Sequence, residues 1–284
     1  MTAGTRAAVR AGLRRGRIEF RQTMTSAAEL MAWLWIPVVA LVVMYAFGDG
    51  TVPGTDISPG SRALPGILAM QLVFTGLMGL AASLTMDRED GTLLRARATP
   101  RGMTGYLIGK VVSKAAVTVS MVLILLIPAP FLFDGLELAE VSSWVTLVGI
   151  LALGLPAVLP IGAILGSLFE NAQSLGLVTL FITLLVVISG VFHPITAMPG
   201  WVQFAGQLFP LYWLGLGLRS ALLPDALAAA EIGDSWRHLE TAAVLGGWAA
   251  AGFLVAPVLL RRMTRRESGT VVAARRAKAT QRMS

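Results

Sequence analysis

The chain has 284 residues, of which 55% are hydrophobic and 14% charged, and its formal net charge is +7. Soluble domains are near one quarter charged, so this composition and a mean hydropathy of +0.72 exclude an ordinary soluble enzyme. The isoelectric point near 10.7 would suit nucleic acid, but the basic residues do not follow the face of a soluble fold, and no nucleic-acid partner is expected. Cysteine is absent, which excludes disulfides and thiolate metal sites.

Residues 1–29 are predicted to form an amphipathic cytoplasmic helix. Its apolar positions recur at spacings of three or four, and they are Val9, Leu13, Gly16, Phe20, Met24 and Ala27. Five arginines occupy the rest of the helical wheel, namely Arg6, Arg10, Arg14, Arg17 and Arg21. This pattern is typical of a helix lying on the inner leaflet. A plain targeting or topology role is the alternative.

Residues 30–260 are predicted to form an all-α, polytopic membrane domain. Six apolar runs are long enough to cross a bilayer as helices, at Leu30–Phe47, Ala63–Met86, Tyr106–Phe133, Ser143–Phe169, Ser174–Val191 and Thr241–Leu260. Prolines interrupt several of them, and we expect kinks rather than breaks because neighbouring helices re-satisfy the freed backbone groups. These prolines are Pro37, Pro128, Pro130, Pro156, Pro160 and Pro257.

The basic residues predict the orientation. Of the 23 lysines and arginines, 20 lie in residues 1–29, in the loop 86–105, at the start of the third span or in the tail 261–284. Both termini are therefore expected in the cytoplasm, with the chain in the cell membrane. A seventh span at Trp201–Leu223 would carry the basic tail outside. We interpret residues 192–223 instead as an extracellular re-entrant or interfacial hairpin with aromatics at headgroup depth, namely Trp201, Phe204, Phe209, Tyr212 and Trp213.

The chain shows no energy source of its own. Intramembrane acids or histidines would indicate ion coupling, but the spans contain only Lys110 and Lys114, placed to snorkel at a cytoplasmic end. The nearest approach to a phosphate-binding loop, at Gly105–Ser113, has the wrong glycine spacing, and no HExxH or GxSxG motif occurs. We therefore expect a non-enzyme with no metal site and no bound cofactor, driven through a partner.

The loop 86–105 is the cytoplasmic connection large enough to receive that partner. Its mixed charge gives register and specificity, Gly91 and Thr92 supply a turn with a helix-capping hydroxyl, and Thr99 and Pro100 end a short helix at Leu93–Ala98. A solvated loop that only joins two helices is the alternative interpretation.

Two stretches of the chain carry distinctive motifs. The first is "REDGTLLRARATPRGMTGYLIGKVV", with Arg88, Glu89, Gly91, Thr92, Thr99, Pro100, Gly109 and Lys110 at the motif positions. The second is "SGVFHPITAMPGWVQFAGQLFPLYWLGLGLRSAL", with Ser189, Gly190, Pro194, Met198, Pro199, Trp201, Pro210, Tyr212 and Arg219. On these residues the chain resembles permeases of the ABC-2 type exporter family, and drug-efflux members of the daunorubicin-resistance type in particular. A departure is Leu94–Arg95, where many relatives carry Glu-Arg-Leu.

The resemblance implies a homo- or heterodimer of permeases bound to two ATPase subunits, which hold ATP and magnesium. It assigns ATPase coupling to Asp87, Arg88, Glu89, Gly91, Thr92, Arg95, Thr99 and Pro100. A path for a small-molecule substrate would be lined by Gln71, Phe74, Thr75, Met78, Thr179, Phe181 and Thr183, for which ordinary helix packing is the alternative. An extracellular gate would include Ser189, Gly190, Pro194, Pro199 and Trp201, for which a lipid-facing aromatic anchor is the alternative.

The function implied is export of a small amphipathic drug or antibiotic. Two alternatives remain open: export of a lipid or glycan precursor by the same kind of permease, and a membrane scaffold or immunity protein that transports nothing. The basic tail is expected to contact anionic membrane lipid.

Overall fold

The structure is a computed structural model, which describes residues 3–47, 57–99, 101–169, 174–191 and 194–266. Within these ranges every regular secondary-structure element is a helix. The helices are α1 (Ala3–Thr25), α2 (Ala27–Phe47), α3 (Pro59–Val73), α4 (Gly79–Glu89), α5 (Thr92–Arg97), α6 (Gly102–Leu126), α7 (Ala129–Leu132), α8 (Val141–Leu168), α9 (Leu175–Ile188), α10 (Gly200–Gln207), α11 (Pro210–Leu222) and α12 (His238–Arg266). The predicted all-α architecture is confirmed for the described part of the chain.

Five helical segments of the described chain are long and apolar enough to cross a membrane. They are Ala27–Ala46, Pro59–Glu89, Gly102–Leu132, Val141–Leu168 and His238–Met263. The predicted fifth span is the shorter helix α9, whose 14 residues extend about 21 Å against a hydrocarbon core of about 30 Å. Helix length thus supports five of the six predicted spans. The predicted hairpin appears as two short helices, α10 and α11.

The prolines affect these helices unequally. Helix α2 continues through Pro37, α8 through Pro156 and Pro160, and α12 through Pro257, as predicted. Among the described segments that carry these prolines, the third is broken, because α6 ends at Leu126 and α7 starts after a turn that contains Pro128.

A π-helical turn at Phe74–Met78 interrupts the second long segment between α3 and α4. Such a turn widens the helix locally and is frequent at functional positions. The turn faces α8 at a glycine, because a Cβ on Gly162 would collide with the backbone of Leu77. One turn further, a Cβ on Gly166 would lie 2.9 Å from the carbonyl oxygen of Ala81. These two glycines therefore bring α8 against the second segment at close range, as their spacing predicts.

Helix α11 lies at the centre of the bundle rather than at its margin. It packs against α3, α8 and α12, and its leucines Leu211, Leu214, Leu216, Leu218 and Leu222 are buried. Tyr212 and Trp213 are 0% and 3% exposed, so they pack inside the bundle, and their placement at headgroup depth stays a prediction. Their helix is apolar on almost every side, and a helix of that kind becomes core. Trp201 and Phe204 on α10 are exposed at 73% and 66%.

Candidate functional site

The short helix predicted in the loop 86–105 is present as α5 (Thr92–Arg97). Gly91 precedes it with a φ of 70°, in the left-handed region where a side chain is strained. The prediction that the Thr92 hydroxyl caps the helix is wrong, because no side chain caps its N-terminus. The hydroxyl instead accepts a hydrogen bond of 3.0 Å from Arg95 Nη2, which holds that guanidinium on the surface of α5.

One residue of α5 anchors the helix to the bundle. Leu93 is 1% exposed and lies in a small apolar cluster with Leu84 of α4, Tyr106 of α6 and Leu260 of α12. Burying a leucine side chain contributes about 1.5–3 kcal/mol. The remaining face of α5, with Arg95 and Arg97, is exposed. Helix α5 is therefore an exposed surface with a buried root.

A network of charged side chains links helices α1, α4 and α6 beside α5. Lys110 Nζ on α6 lies 2.8 Å from Asp87 Oδ2 on α4 and 3.3 Å from Glu19 Oε2 on α1. The Lys110 side chain is 10% exposed, so it does not snorkel to solvent as predicted. An ion pair that is largely withdrawn from water is rigid, and removing one partner is costly because the other charge remains buried.

Tyr106 and Arg15 close this network into a ring. The Tyr106 hydroxyl donates a hydrogen bond of 2.6 Å to Asp87 Oδ2. The Arg15 guanidinium carbon lies 4.8 Å from the centre of the Tyr106 ring, within cation–π range, and Arg15 Nε donates 2.8 Å to Glu19 Oε1. We call Arg15, Glu19, Asp87, Tyr106 and Lys110 the α5-end network. It joins α1, α4 and α6 at the point where the loop to α5 leaves the bundle.

Arg88 makes a second connection from the same loop. The residue is 4% exposed, and its Nη1 donates hydrogen bonds of 2.9 Å to the carbonyl of Phe169 and 3.3 Å to that of Ser167. These carbonyls lie at the C-terminus of α8, where four backbone oxygens lack helical partners and the helix dipole favours a cation. The loop is thus fixed to α8 as well as to α1 and α6.

The eight residues predicted for coupling therefore divide into two groups. Asp87 and Arg88 face the protein interior and hold the loop in place. Arg95 and Thr99 are exposed, while Glu89, Gly91 and Thr92 are partly exposed at the start of the short helix. Pro100 lies outside the described residues. The structure places Glu89, Gly91, Thr92, Arg95 and Thr99 where a partner is able to reach them.

Helix α1 is braced against α6 through glycines, a contact that the sequence analysis did not anticipate. A Cβ on Gly12 would lie 2.6 Å from the carbonyl oxygen of Gly105, and a Cβ on Gly16 would lie 2.8 Å from that of Gly109. The sequence does contain a signal for this contact, because Gly12 and Gly16 on α1 have the same four-residue spacing as Gly105 and Gly109 on α6. The predicted apolar stripe of α1 does not share one environment, because Gly16 is buried against α6 whereas Leu13 is 47% exposed.

The residues predicted for the substrate path do not form one wall within a single chain. Gln71 and Thr75 are buried, and Gln71 Nε2 donates 2.9 Å to the Thr75 hydroxyl and 3.1 Å to the carbonyl of Trp33. Phe74 and Met78 are partly exposed. On α9 the hydroxyls of Thr179 and Thr183 donate to carbonyls of their own helix, and Phe181 meets Phe209 edge to face at 5.8 Å.

The residues predicted for the gate follow α9. Ser189 is buried and donates 3.0 Å to the carbonyl of Val186, and Gly190 has a φ of 65°. Pro194, Pro199 and Trp201 are exposed.

A polar cluster that the sequence analysis missed lies behind these gate residues. Arg219, which is buried on α11, pairs with Glu231 through two contacts of 2.6 and 3.2 Å. Arg237 Nη1 donates a hydrogen bond of 2.7 Å to Gln207 Oε1. The guanidinium carbon of Arg237 also lies 4.7 Å from the centre of the Trp213 ring. We call Gln207, Trp213, Arg219, Glu231 and Arg237 the hairpin-end network.

These features define a helical membrane protein in which a short exposed helix, between the second and third long helical segments, is tied from inside to three other elements. The sequence matches the ABC-2 type transporter family over residues 9–223. The chain belongs to this family, whose members are membrane subunits of transporters. It is also similar to heme exporter protein B of Haemophilus influenzae, with 32% identity over 218 residues that cover 75% of this chain and 93% of the relative.

Proposed function

We propose that this chain is the permease subunit of an ATP-binding cassette exporter, that it carries a small amphipathic compound out of the cell, and that a separate subunit bound at α5 hydrolyses the ATP. The observation that carries the proposal is the construction of the loop 87–99. Its outer face is exposed, while Leu93, Asp87 and Arg88 connect it to α6, α1 and α8. A force applied to α5 therefore reaches three parts of the bundle through buried contacts.

The proposed transport unit contains two permease copies and two ATPase subunits. In support, α9 has a broad exposed apolar face, including Leu177, Leu180, Leu184 and Val187, which suits either lipid or a second permease. The proposed orientation has both termini and α5 in the cytoplasm, with six membrane crossings of which α9 is the shortest. The basic residues clustered at α1, α5 and the C-terminal tail support this orientation.

The cargo is proposed by class, with two candidates. Resemblance to drug-efflux permeases supports a drug or antibiotic. The relative's name supports heme, which is also small, planar and amphipathic. Export of a lipid or glycan precursor has no feature of the described residues in its favour. Turnover of the reconstituted complex in the presence of heme and of a panel of amphipathic antibiotics separates the two candidates.

The proposal is tested by coexpressing the chain with candidate ATPase subunits and measuring co-purification and ATP turnover. Arg95→Glu reverses an exposed charge on α5 and should reduce capture of the ATPase by at least about tenfold, since close charge pairs at interfaces contribute about 1.5 kcal/mol or more. The matched control is Arg62→Glu, at the opposite end of the same long helical segment that leads into the loop. Equal capture by both variants would remove α5 as the ATPase site, and the absence of any captured ATPase would favour a scaffold.

A further inference from the structure

A cavity of about 740 Å³ lies where α1, α5 and the start of α6 meet. Its volume falls within the range of small-molecule sites, roughly 300–1,000 Å³. Helix α1 contributes small residues over its first turns, which leaves space between it and α5, and these residues are Gly4, Ala7, Ala8 and Ala11. We call this space the arginine cavity.

Three arginines line the arginine cavity, one from each of its sides. They are Arg15 of α1, Arg95 of α5 and Arg101, which directly precedes α6. No carboxylate is among the described residues that line it. The first turn of α6 also borders the cavity and contains no acidic residue, so the positive end of that helix dipole is not neutralised there. The lining of the arginine cavity is therefore net positive.

The carboxylates of the neighbouring helices are bound to other cations or lie elsewhere. Glu19 pairs with Arg15 at 2.8 Å and with Lys110 at 3.3 Å, and Asp87 pairs with Lys110 at 2.8 Å. Asp90 lines a separate cavity, between α1, α2, α4 and α6. These positions leave two of the three arginines of the arginine cavity without a carboxylate partner in its lining.

The donors in the cavity match the oxygens of a phosphate group. Arg101 has a φ of 55°, in a region that non-glycine residues rarely adopt, and its guanidinium lies against α1, where a Cβ on Gly4 would collide with Nη1. Hydroxyl groups lie beside the guanidinium groups, because Thr92 and Thr99 line the same space and Arg95 Nη2 is 3.0 Å from the Thr92 hydroxyl. Arginine binds phosphate bidentately through its planar fork of donors.

We propose that the arginine cavity binds a phosphate-bearing molecule, whose phosphate group pairs with Arg95 and Arg101 and thereby ties α5 to α1. A bare phosphate fills only a small part of the 740 Å³, so the ligand carries a second group. The source is either the headgroup of an anionic phospholipid, which basic pockets at cytoplasmic helix ends recognise, or a soluble organic phosphate. The inference goes beyond the proposed function, because binding requires neither ATP hydrolysis nor the ATPase. The lipid source alone rests on the proposed orientation.

The test uses the full chain in nanodiscs of phosphatidylcholine at low ionic strength, without the ATPase. The probe is radiolabelled pyrophosphate, and we expect saturable binding. Arg101→Gln should weaken that binding by at least about tenfold, because charge-assisted hydrogen bonds are the strong ones, and Arg101→Lys should retain part of it. Arg10→Gln removes the same charge at an exposed arginine of α1 that does not line the cavity, and it is the matched control.

A filling variant separates the cavity from its charge. Ala11→Trp keeps every arginine and occupies the space between α1 and α5, so it should weaken pyrophosphate binding about as much as Arg101→Gln does. Thermal unfolding of each variant checks that the bundle remains folded.

A second arm detects a lipid. The same variants are taken from nanodiscs with one fifth phosphatidylglycerol, and the phosphatidylglycerol retained per chain is counted by native mass spectrometry. Retention that falls in Arg101→Gln and Ala11→Trp but not in Arg10→Gln assigns the cavity to a phospholipid headgroup. The same pattern confined to pyrophosphate assigns it to a soluble phosphate.

The proposal is wrong if Arg101→Gln matches Arg10→Gln in both arms, or if Ala11→Trp matches the wild type in both. Capture of the ATPase is measured separately on the wild-type chain and on Arg101→Gln. Failure of the exporter proposal and failure of the cavity proposal are therefore distinguishable.

Discussion

The two polar networks of the bundle differ in the sequence distance that they span. The hairpin-end network is local, because all its residues lie between Gln207 and Arg237. The α5-end network joins residues from position 15 to position 110, on helices α1, α4 and α6, which are far apart in the sequence. A local network stabilises one structural unit, whereas a network between distant helices fixes their relative position. Only the second arrangement is suited to pass a displacement from α5 to several spans.

The largest expected effect comes from breaking the α5-end network at its centre. Lys110→Met leaves Asp87 without its cation in a site with little solvent, while Glu19 keeps Arg15, and this should lower stability by about 3 kcal/mol and abolish transport. The measurements are thermal unfolding in detergent and ATP-driven transport in vesicles. Adding Asp87→Asn removes the carboxylate that has lost its cation and should recover part of the lost stability. If Lys110→Met alone were as stable as the wild type, the α5-end network would contribute little to the free energy of unfolding.

The corresponding change in the hairpin-end network, Arg219→Met, should lower stability without changing the capture of the ATPase. Arg219→Met leaves Glu231 buried without its cation, and we expect a loss of about 2–4 kcal/mol, recovered in part by Glu231→Gln. Capture of the ATPase should remain at the wild-type level because the hairpin-end network has no residue near α5. Reduced capture in Arg219→Met would erase the distinction between the two ends.

A smaller effect is expected when Leu93, the buried side chain that anchors α5, is replaced by a smaller one. Leu93→Ala removes a buried leucine, a change that costs about 2–5 kcal/mol in well-packed cores, but here the loss falls on a helix of six residues that unfolds locally. Capture of the ATPase should fall about tenfold, with little change in the global unfolding temperature. Leu239→Ala, at a position 85% exposed, is the control and should change neither quantity.

The smallest expected effect concerns the glycines that bring α1 onto α6. Gly16→Ala places a methyl group 2.8 Å from the carbonyl oxygen of Gly109, and we expect a loss of about 1 kcal/mol as α1 shifts outward. Gly149→Ala, in a helix where nothing lies within 4 Å of the new methyl group, should stabilise the protein by several tenths of a kcal/mol through helix propensity. Opposite signs in thermal unfolding confirm the contact between α1 and α6.

Much of the fold followed from patterns that are local in sequence. Hydrophobic length predicted five of the long segments, and the Gly91 and Thr99 signals predicted α5 to within a residue of its observed bounds, Thr92–Arg97. The features that were missed depend on packing between distant segments. Nothing in the neighbourhood of Arg88 indicates that it reaches the C-terminus of α8, 79 residues away. The π-helical turn at Phe74–Met78 likewise lies against a residue distant in sequence, Gly162 of α8, at Leu77.

For the candidate site, the sequence predicted the loop but not the roles within it. The mixed charges of residues 87–95 are consistent with a docking surface, yet Asp87 and Arg88 prove to be internal ties. Their burial depends on Lys110 and on α8, which sequence spacing does not bring together. Similarly, the sequence predicts one environment for the aromatic residues after Pro199, although Trp201 is exposed and Trp213 is core. Amphipathic aromatics favour both environments, and only the packing of α11 decides between them.

The central claim is that α5 is the surface that receives the ATPase, and the absence of cysteine from the chain makes it directly testable. Single cysteines at two exposed alanines, Ala98→Cys at the end of α5 and Ala197→Cys at the hairpin end, are labelled with a maleimide in the assembled transporter and in the permease alone. The account predicts that the ATPase protects Ala98→Cys from labelling, while Ala197→Cys labels equally in both preparations. Equal labelling of Ala98→Cys with and without the ATPase would contradict it.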